Sequence, residues 1–341
     1  MVARGNGSLL RRFRRLLRGI GQVPLLALAL TACGGGQVLQ AADPAQPVTA
    51  GKMLLTPQQN IHGGRLATGV DATGTPKPGS MRGFVNFISP AALAVRGPDL
   101  YIADMGARKL YRLDTMQQVL SVVPDVSVSP RMQLQVASDL SLYILDPDHA
   151  AIHHLTRGGR LLQTFTDAGI AMHLTHFVLD EGMGRIIASD QLSQRLLRLP
   201  LAGRIVSVLP DTEVGTFRAV GAVASVGEEM YALDAACVCI VQLDADGRVQ
   251  QRFGYGALTQ PHAMVADRHG RLFVADAFDR ELKVFFRGEL IARYAPHQLN
   301  VVNIGAMAMG EGLLYLADSA GSRVVVFRVQ PPARDGDGQA R

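Results

Sequence analysis

An aspartate closes a short apolar segment six times along this chain, at nearly constant spacing. Consecutive aspartates are 42 to 44 residues apart. They are Asp104, Asp146, Asp190, Asp234, Asp276 and Asp318. A period of about 40–45 residues built from short strands is typical of propeller blades, each a four-stranded sheet that packs on its neighbours. The repeat therefore predicts an all-β fold, a six-bladed β-propeller.

Each unit contains four candidate strands when the units are aligned on their aspartates. The first strand is made of small apolar residues, as at 91–94, 220–224, 263–266 and 306–309, which suits the crowded centre of a ring. The second strand is rich in β-branched and aromatic residues and ends at the aspartate. The third begins six residues after the aspartate, and a glycine turn then leads to the fourth. The aspartates are interpreted as turn residues whose carboxylates accept backbone N–H groups.

Residues 1–32 have the organisation of an export signal. Six arginines and no acidic residue precede a short apolar run at residues 23–30. This run is shorter than the roughly 20 residues that a membrane-spanning helix needs. The segment therefore predicts export from the cytoplasm.

The end of this signal resembles the bacterial lipobox, in which a cysteine becomes the acylated N-terminus. Residues 30–33 read Leu-Thr-Ala-Cys, directly after the apolar run. The alternative is an ordinary signal peptide followed by a chance cysteine. Acylation of Cys33 would anchor the protein in a lipid bilayer. Because Gly34 follows, where aspartate is the usual inner-membrane retention signal, we expect attachment to the outer membrane.

Removal of the signal changes the charge of the chain. The whole sequence carries +5, but the six signal arginines account for more than this excess, so the mature chain carries about −1. The basic character therefore belongs to the targeting segment, and a nucleic-acid partner is disfavoured.

The mature chain divides into three parts by composition. Residues 33–81 begin with the lipidated cysteine and are rich in Gly, Ala, Pro, Gln and Thr, which predicts a flexible tether. Residues 82–330 hold the six units, and residues 331–341 form a polar, disordered tail. The sixth unit ends before a fourth strand, so we expect residues 82–88, an N-terminal strand, to pair there and close the ring.

Two cysteines remain after lipidation of Cys33. Cys237 and Cys239 flank a single residue, and in an exported protein they are either a strained disulfide or two small apolar side chains on a blade strand. In an extended strand their Cα atoms would lie near the upper limit for a disulfide, so only a local turn would bring them into range.

The units resemble NHL-repeat β-propellers. Residues 261–276 match best, with proline, an apolar strand, a glycine turn and a second strand ending in aspartate. The basic residue that follows in the family occurs as Lys109, Arg195 and Arg323, whereas the family's asparagine between aspartate and this residue is missing in every unit. The resemblance implies the propeller fold but no single function.

Some members of this wider group are metal enzymes, and the resemblance directs attention to the central channel. Amidating lyases bind a metal there through histidines, and gluconolactonase-like propellers bind calcium through acidic and amide side chains. His176 and His262 are each 14 residues before their aspartates, in alternate units. They are the candidate ligands for zinc or calcium, with His173 as the only nearby third histidine, and the alternative is that they are polar groups at the channel mouth.

The sequence contains no phosphate-binding loop, haem-binding motif or serine nucleophile motif. It therefore favours an outer-membrane lipoprotein whose propeller binds or scaffolds a protein, peptide or envelope partner. No cofactor is predicted under this hypothesis. The alternative is a metal-dependent lyase or lactonase that uses His176 and His262.

Overall fold

Each of the six units folds into an antiparallel sheet, and the sheets form a six-bladed β-propeller. The structure, a computed structural model, describes residues 54–71, 75–166, 172–202, 206–209 and 216–331. The fold class predicted from the repeat is confirmed. Strand four of blade 6 is β1 (Leu55–Ile61), followed by β2 (Gly63–Ala67) and β3 (Met81–Asn86).

The remaining strands follow blade by blade in chain order. Blade 1 contains β4 (Pro90–Arg96), β5 (Asp99–Asp104), β6 (Lys109–Asp114) and β7 (Val119–Val122). Blade 2 contains β8 (Gln133–Val136), β9 (Leu142–Asp146), β10 (Ala151–Leu155) and β11 (Leu161–Phe165). Blade 3 contains β12 (Leu174–Asp180), β13 (Arg185–Asp190), β14 (Arg195–Pro200) and β15 (Ser207–Val208). Blade 4 contains β16 (Val220–Val226), β17 (Glu229–Asp234), β18 (Cys239–Leu243) and β19 (Val249–Phe253). Blade 5 contains β20 (Pro261–Ala266), β21 (Arg271–Asp276), β22 (Leu282–Phe286) and β23 (Glu289–Tyr294). A short helix, α1 (Pro296–Leu299), then leads to blade 6, with β24 (Ala306–Gly310), β25 (Leu313–Asp318) and β26 (Arg323–Val329).

The core lies between the blades. Six clusters of buried apolar side chains each join two neighbouring blades, including the pair formed by blade 6 and blade 1. Strand two of every blade is almost completely buried because both of its faces meet a neighbouring sheet. A single blade would expose one of these apolar faces, so the ring is the unit of stability.

The ring is closed by β1, not by residues 82–88 as predicted. β1 pairs antiparallel with β26 over the register Leu55 with Val329 to Ile61 with Val324. Leu55 and Ile61 are buried at its two ends, whereas the five residues between them are exposed. Closure by an N-terminal strand is therefore correct, but the strand lies within the segment predicted to be a flexible tether.

Residues 81–86 instead form β3, the outermost strand of blade 1. β2 pairs in parallel with β7, and β3 pairs antiparallel with β2, so blade 1 has six strands. The chain passes directly from blade 6 to blade 1 through His62 and Gly63. A Cβ atom at Gly63 would lie 1.9 Å from the Val85 carbonyl oxygen, so only glycine fits this crossing.

The propeller therefore begins at Leu55, and the predicted tether cannot extend to residue 81. Strands occupy much of residues 55–86 because they find partners at the outer edges of blades 6 and 1. The export signal, Cys33 and residues 332–341 lie outside the described residues. The described residues contain no helix with the length and apolar character of a membrane span.

Candidate binding face and channel mouth

The antiparallel order of the strands gives the ring two different faces. One face carries the segments that enter strand one and the turns that join strands two and three. We call it the loop face, and the opposite face, with the hairpins between strands one and two and between strands three and four, the hairpin face. Every strand-two aspartate lies at the loop face.

The aspartates hold the segments of the loop face in place. The Asp104 carboxylate accepts N–H bonds from Ile88 (2.7 Å) and Ser89 (2.9 Å), in the segment that enters blade 1, and from Ala107 (3.0 Å) in its own turn. The interpretation of the aspartates as turn residues is confirmed, and four others also bind the entering segment. These four are Asp190, Asp234, Asp276 and Asp318.

Asp146 departs from this pattern in blade 2. Its carboxylate accepts bonds from the Asp148 and His149 N–H groups and lies 2.7 Å from His149 Nδ1, all within its own turn. This hydrogen bond raises the pKa of His149, whose side chain is exposed.

The same turn geometry recurs after each aspartate. The residue four places on has a positive φ of 48° to 60° in all six blades. These residues are Arg108, Ala150, Gln194, Val238, Arg280 and Ser322. Asparagine, aspartate and histidine are the residues with side chains that are enriched in this region, and none of the six positions carries one of them.

This turn brings Cys237 and Cys239 together. Val238 between them has φ +52°, and their Cα atoms are 5.2 Å apart, inside the range that a disulfide requires. The structure joins the two sulfur atoms. Cys239 is fully buried against the blade 3 interface, whereas Cys237 is partly exposed. The local turn that the sequence argument required is thus the ordinary turn of every blade.

We expect the Cys237–Cys239 bond to be present in the purified protein. A chain beginning at residue 54 should show no titratable thiol when unfolded without reductant, and two after reduction. Cys237→Ala should lower the free energy of unfolding by about 1–2 kcal/mol, because the bond closes only a very short loop. Two reactive thiols in the unreduced protein would contradict the disulfide and favour the reading of two small apolar side chains.

The first strands of all six blades surround a central cavity of about 580 Å³. Most of its lining residues are apolar in type, and each first strand contributes one large apolar residue near its middle. These residues are Leu93, Leu134, Val178, Val223, Met264 and Met307. Arg96 and Glu311 lie at the end nearer the hairpin face. The channel predicted from the small residues of strand one is therefore present.

His176 and His262 lie at the loop-face end of this channel, on blades 3 and 5. The Nδ1 atom of each is buried and has no hydrogen-bond partner among the described residues. His262 Nε2 lies 2.9 Å from the Ile304 carbonyl oxygen, so it donates there and leaves Nδ1 as an acceptor. Burial, together with the nearby His262, lowers the pKa of His176 to about 4. His176 is therefore neutral at physiological pH.

The two histidines do not occupy equivalent positions on their strands, although each lies 14 residues before the aspartate of its own unit. In blade 3, His176 pairs with Ser189. The equivalent pair in blade 5 is Ala263 with Ala275, and His262 lies in the β-bulge one residue before Ala263. Thr175 is the structural equivalent of His262. Equal sequence distances to the aspartate give different positions because the hairpin between strands one and two is one residue longer in blade 3 than in blade 5.

The described residues do not form a suitable metal site. No group of three or more His, Cys, Asp or Glu side chains among them could hold a metal ion. Catalytic zinc requires three protein ligands, and calcium prefers oxygen ligands, so two histidine nitrogens fit neither. His173 donates its backbone N–H to Asp190 at 2.7 Å, and its side chain forms no group of three possible ligands with other described residues.

We expect His176 to make the protein less stable at low pH. Its pKa falls from about 6.5 in the unfolded chain to about 4 when folded, so protons bind the unfolded state more strongly between these values. Stability is complete above pH 6.5 and decreases as the pH falls, by on the order of 1.4 kcal/mol per pH unit. Urea unfolding from pH 7 to pH 4 should show this slope, and His176→Gln should flatten it.

His149→Gln is the matched control, because His149 contributes a pH dependence of stability with the opposite sign. The folded pKa of His149 is raised, so its contribution is present below the unfolded pKa and is lost as the pH rises through the folded pKa. An equal pH slope in the wild-type protein and in His176→Gln would contradict the neutral, buried state of His176.

The loop face also exposes apolar side chains that the sequence analysis did not identify. Phe278 is 73% exposed and Tyr255 58%, both on blade 5. Leu192, Ile88 and Val302 are also exposed on this face. Single apolar residues in turns carry no distinctive sequence signal, although Leu192 and Phe278 each stand two residues after an aspartate that fixes the turn.

The sequence matches no protein-family model and no curated protein. Solved structures are nevertheless similar. A gluconolactonase from Xanthomonas campestris has a TM-score of 0.57 at 14% identity, covering 85% of this chain and 99% of its own. A catalytically inactive histidine-to-alanine variant of virginiamycin B lyase from Staphylococcus aureus, with quinupristin, has a TM-score of 0.52 at 11% identity and coverages of 72% and 86%.

A chain of a nidogen/laminin complex has a TM-score of 0.53 at 13% identity, covering 70% of this chain and 94% of its own. The similar structures thus include two enzymes and one component of a protein complex. At identities below 15% such likeness shows the fold alone. By that fold, the chain is a six-bladed β-propeller.

Proposed function

We propose that this protein is an outer-membrane lipoprotein whose propeller binds a protein, peptide or envelope partner through its loop face. The observation that carries the proposal is the anchoring of this face: five aspartates tie the segments entering their blades to the ends of strand two. Loops fixed in this way lose little conformational entropy on binding, which favours affinity.

These fixed loops present apolar side chains to solvent. Phe278, Leu192 and Tyr255 are all more than half exposed. Aromatic residues are enriched at protein interfaces because they bury a large area at a low cost in side-chain entropy. The likeness to a chain of a nidogen/laminin complex supports a binding role for such a ring.

The envelope location is supported by the sequence of the first 33 residues. An exported, acylated Cys33 would place the propeller at a membrane, and the segment before Leu54 would link the two. Mass spectrometry of the purified protein should find acyl chains on Cys33. Cys33→Ser should move the protein from the outer-membrane fraction to the soluble fraction, and an unmodified Cys33 in the wild type would contradict the anchor.

Site-specific photo-crosslinking in cells tests the binding face. A photoreactive residue at Phe278 should give a discrete covalent adduct with a partner. The matched position is Met116, which is 84% exposed but lies on the hairpin face, and it should give none. Equal adducts at both positions, or none at any exposed loop-face position, would reject the loop face as the binding surface.

A second candidate, a lyase or lactonase acting at the channel mouth, is favoured by one observation. The buried Nδ1 atoms of His176 and His262 have no partner in the structure, so they could accept hydrogen bonds from a bound molecule. The inactive histidine variant of virginiamycin B lyase supports a role for histidine in a protein of similar fold.

The enzyme proposal has its own test. Purified protein would be assayed against lactones and cyclic depsipeptides, with His176→Ala and His262→Ala as controls. Elemental analysis of the same samples measures bound zinc and calcium. Turnover that either substitution abolishes would favour the enzyme, and stoichiometric zinc lost with either histidine would restore the metal hypothesis.

A further inference from the structure

Three exposed cations of the loop face lie on the same side of the ring as most of its exposed apolar residues. Blades 5, 6 and 1 are neighbours because blade 6 packs against both of the others. We name seven exposed residues of their loop face the basic arc. It consists of Ile88, Arg108, Lys109, Tyr255, Phe278, Arg280 and Val302.

The three cations of the basic arc are not neutralised within the described part of the chain. Arg108, Lys109 and Arg280 are exposed and form no ion pair or side-chain hydrogen bond there. Arg108 and Arg280 both occupy the positive-φ position of their turns.

The carboxylates at the same end of these blades are already engaged. Asp104, Asp276 and Asp318 are buried and accept backbone N–H groups. Asp279 pairs with the buried Lys283, and Glu281 lies 3.9 Å from Arg293. These five carboxylates therefore do not pair with the three cations of the basic arc, and an acidic surface is the complementary one.

The apolar residues of the arc favour a protein over the bilayer as the source of that acidic surface. Ile88, Phe278 and Val302 donate backbone N–H groups to Asp104, Asp276 and Asp318 respectively, so their positions are fixed. Fixed apolar side chains suit matching to the side chains of a protein segment.

We propose that the basic arc binds an acidic segment of a protein partner in which apolar side chains alternate with carboxylates. Carboxylates of that segment pair with Arg108, Lys109 and Arg280, and its apolar side chains pack on Phe278 and Tyr255. The inference rests on the proposed function of the loop face and specifies the chemistry of the partner. It accounts for two observations at once, the unpaired cations and the exposed aromatic rings on the same face.

The test uses the full mature chain with Cys33→Ser, which removes the acyl group and leaves the propeller unchanged. The probe is a fluorescent octapeptide of alternating Glu and Phe, compared with matched Gln–Phe and Lys–Phe octapeptides. Three exposed pairs, each of modest energy, should make the Glu–Phe peptide bind at least about tenfold more tightly than the Gln–Phe peptide. This difference should decrease with added salt.

Charge reversal separates the basic arc from the overall charge of the protein. The combined substitutions Arg108→Glu, Lys109→Glu and Arg280→Glu should abolish the preference for Glu–Phe and favour Lys–Phe. The control combines Arg160→Glu, Arg268→Glu and Arg287→Glu, which changes the net charge equally in exposed hairpins of the opposite face. The control should bind within about twofold of the unaltered protein, since distant exposed charges are screened.

Two results would overturn the inference. One is equal affinity for the Glu–Phe and Gln–Phe peptides, or an affinity that the arc and control variants change equally. The other is binding that depends on the arc only with phosphatidylglycerol vesicles and not with the acidic peptide, which would assign the arc to a membrane surface.

The crosslinking experiment distinguishes this failure from failure of the proposed function. Adducts at Phe278 that persist unchanged in the charge-reversed arc would keep the loop face as the binding surface and reject the acidic partner. A loss of these adducts in the arc variant, but not in the hairpin-face control, would support both proposals.

Discussion

Replacing Lys283 with methionine is expected to lower the free energy of unfolding by about 3–5 kcal/mol, the usual cost of leaving a buried charge without its partner. Lys283 is fully buried on β22, and its ammonium group lies 2.8 Å from Asp276 Oδ2 and also bonds Asp279. Burial by itself would raise the pKa of Asp276, but the hydrogen bonds from Lys283 and from the Thr259 and Gln260 N–H groups lower it below its usual value.

The loss should extend beyond Lys283 itself, because Asp276 also fixes the segment that enters blade 5. Urea unfolding at pH 7 measures the effect. Lys109→Met is the matched control, since Lys109 is an exposed lysine near the start of β6, the equivalent strand of blade 1, and should change stability by less than about 0.5 kcal/mol. A comparable small effect at Lys283 would show that its ammonium group is not the main partner of Asp276.

Removal of β1 should be the most damaging truncation of the propeller. A chain that begins at residue 63 leaves blade 6 with three strands, uncovers the edge of β26 and deletes the buried Leu55 and Ile61. Deleting two such side chains alone costs roughly 4–10 kcal/mol, which approaches the whole stability of a typical domain. The exposed edge should also drive self-association.

A chain that begins at residue 54 is the control for this truncation. It retains β1 and should melt at the same temperature as the full mature chain. Thermal unfolding and sedimentation velocity measure the two effects. A monomeric protein of unchanged melting temperature that begins at residue 63 would refute closure by β1.

The sequence was informative wherever the same hydrogen bonds recur in every blade. Each strand-two aspartate accepts N–H groups from its own turn, so the requirement for a carboxylate repeats with the blade and reveals the period. Burial of strand two between neighbouring sheets imposes its apolar composition. Both signals follow from local geometry and from the ring itself, and they were sufficient to predict the number of blades.

The closing strand could not be recognised because its stability comes from its partner. The middle of β1 reads Thr-Pro-Gln-Gln-Asn and is exposed, as its position at a sheet edge allows. Pro57 is tolerated there because the register shifts between Pro57 and Gln59 and an edge strand does not need every N–H donor. Residues 82–88, with their aromatic and β-branched side chains, have the stronger strand composition but pair with β2 instead.

The candidate site was only partly predictable for a similar reason. The sequence identified His176 and His262 and their channel-mouth location, yet a single additional residue in a distant hairpin displaces one of them from the equivalent position. The exposed residues of the loop face depend on three-dimensional grouping across blades 5, 6 and 1. Residues such as Ile88 and Phe278 are 190 positions apart in the chain, so no local pattern could join them.

The ring is closed by the pairing of β1 with β26, and this pairing resists force applied along the N-terminal chain. Tension transmitted along the N-terminal chain is applied first at Leu55 and runs along β1, parallel to the strand. This tension therefore loads in shear all the hydrogen bonds from the Leu55–Val329 pair to the Ile61–Val324 pair. These bonds are loaded together rather than one at a time. Force along β1 must therefore break these pairs together before the ring opens.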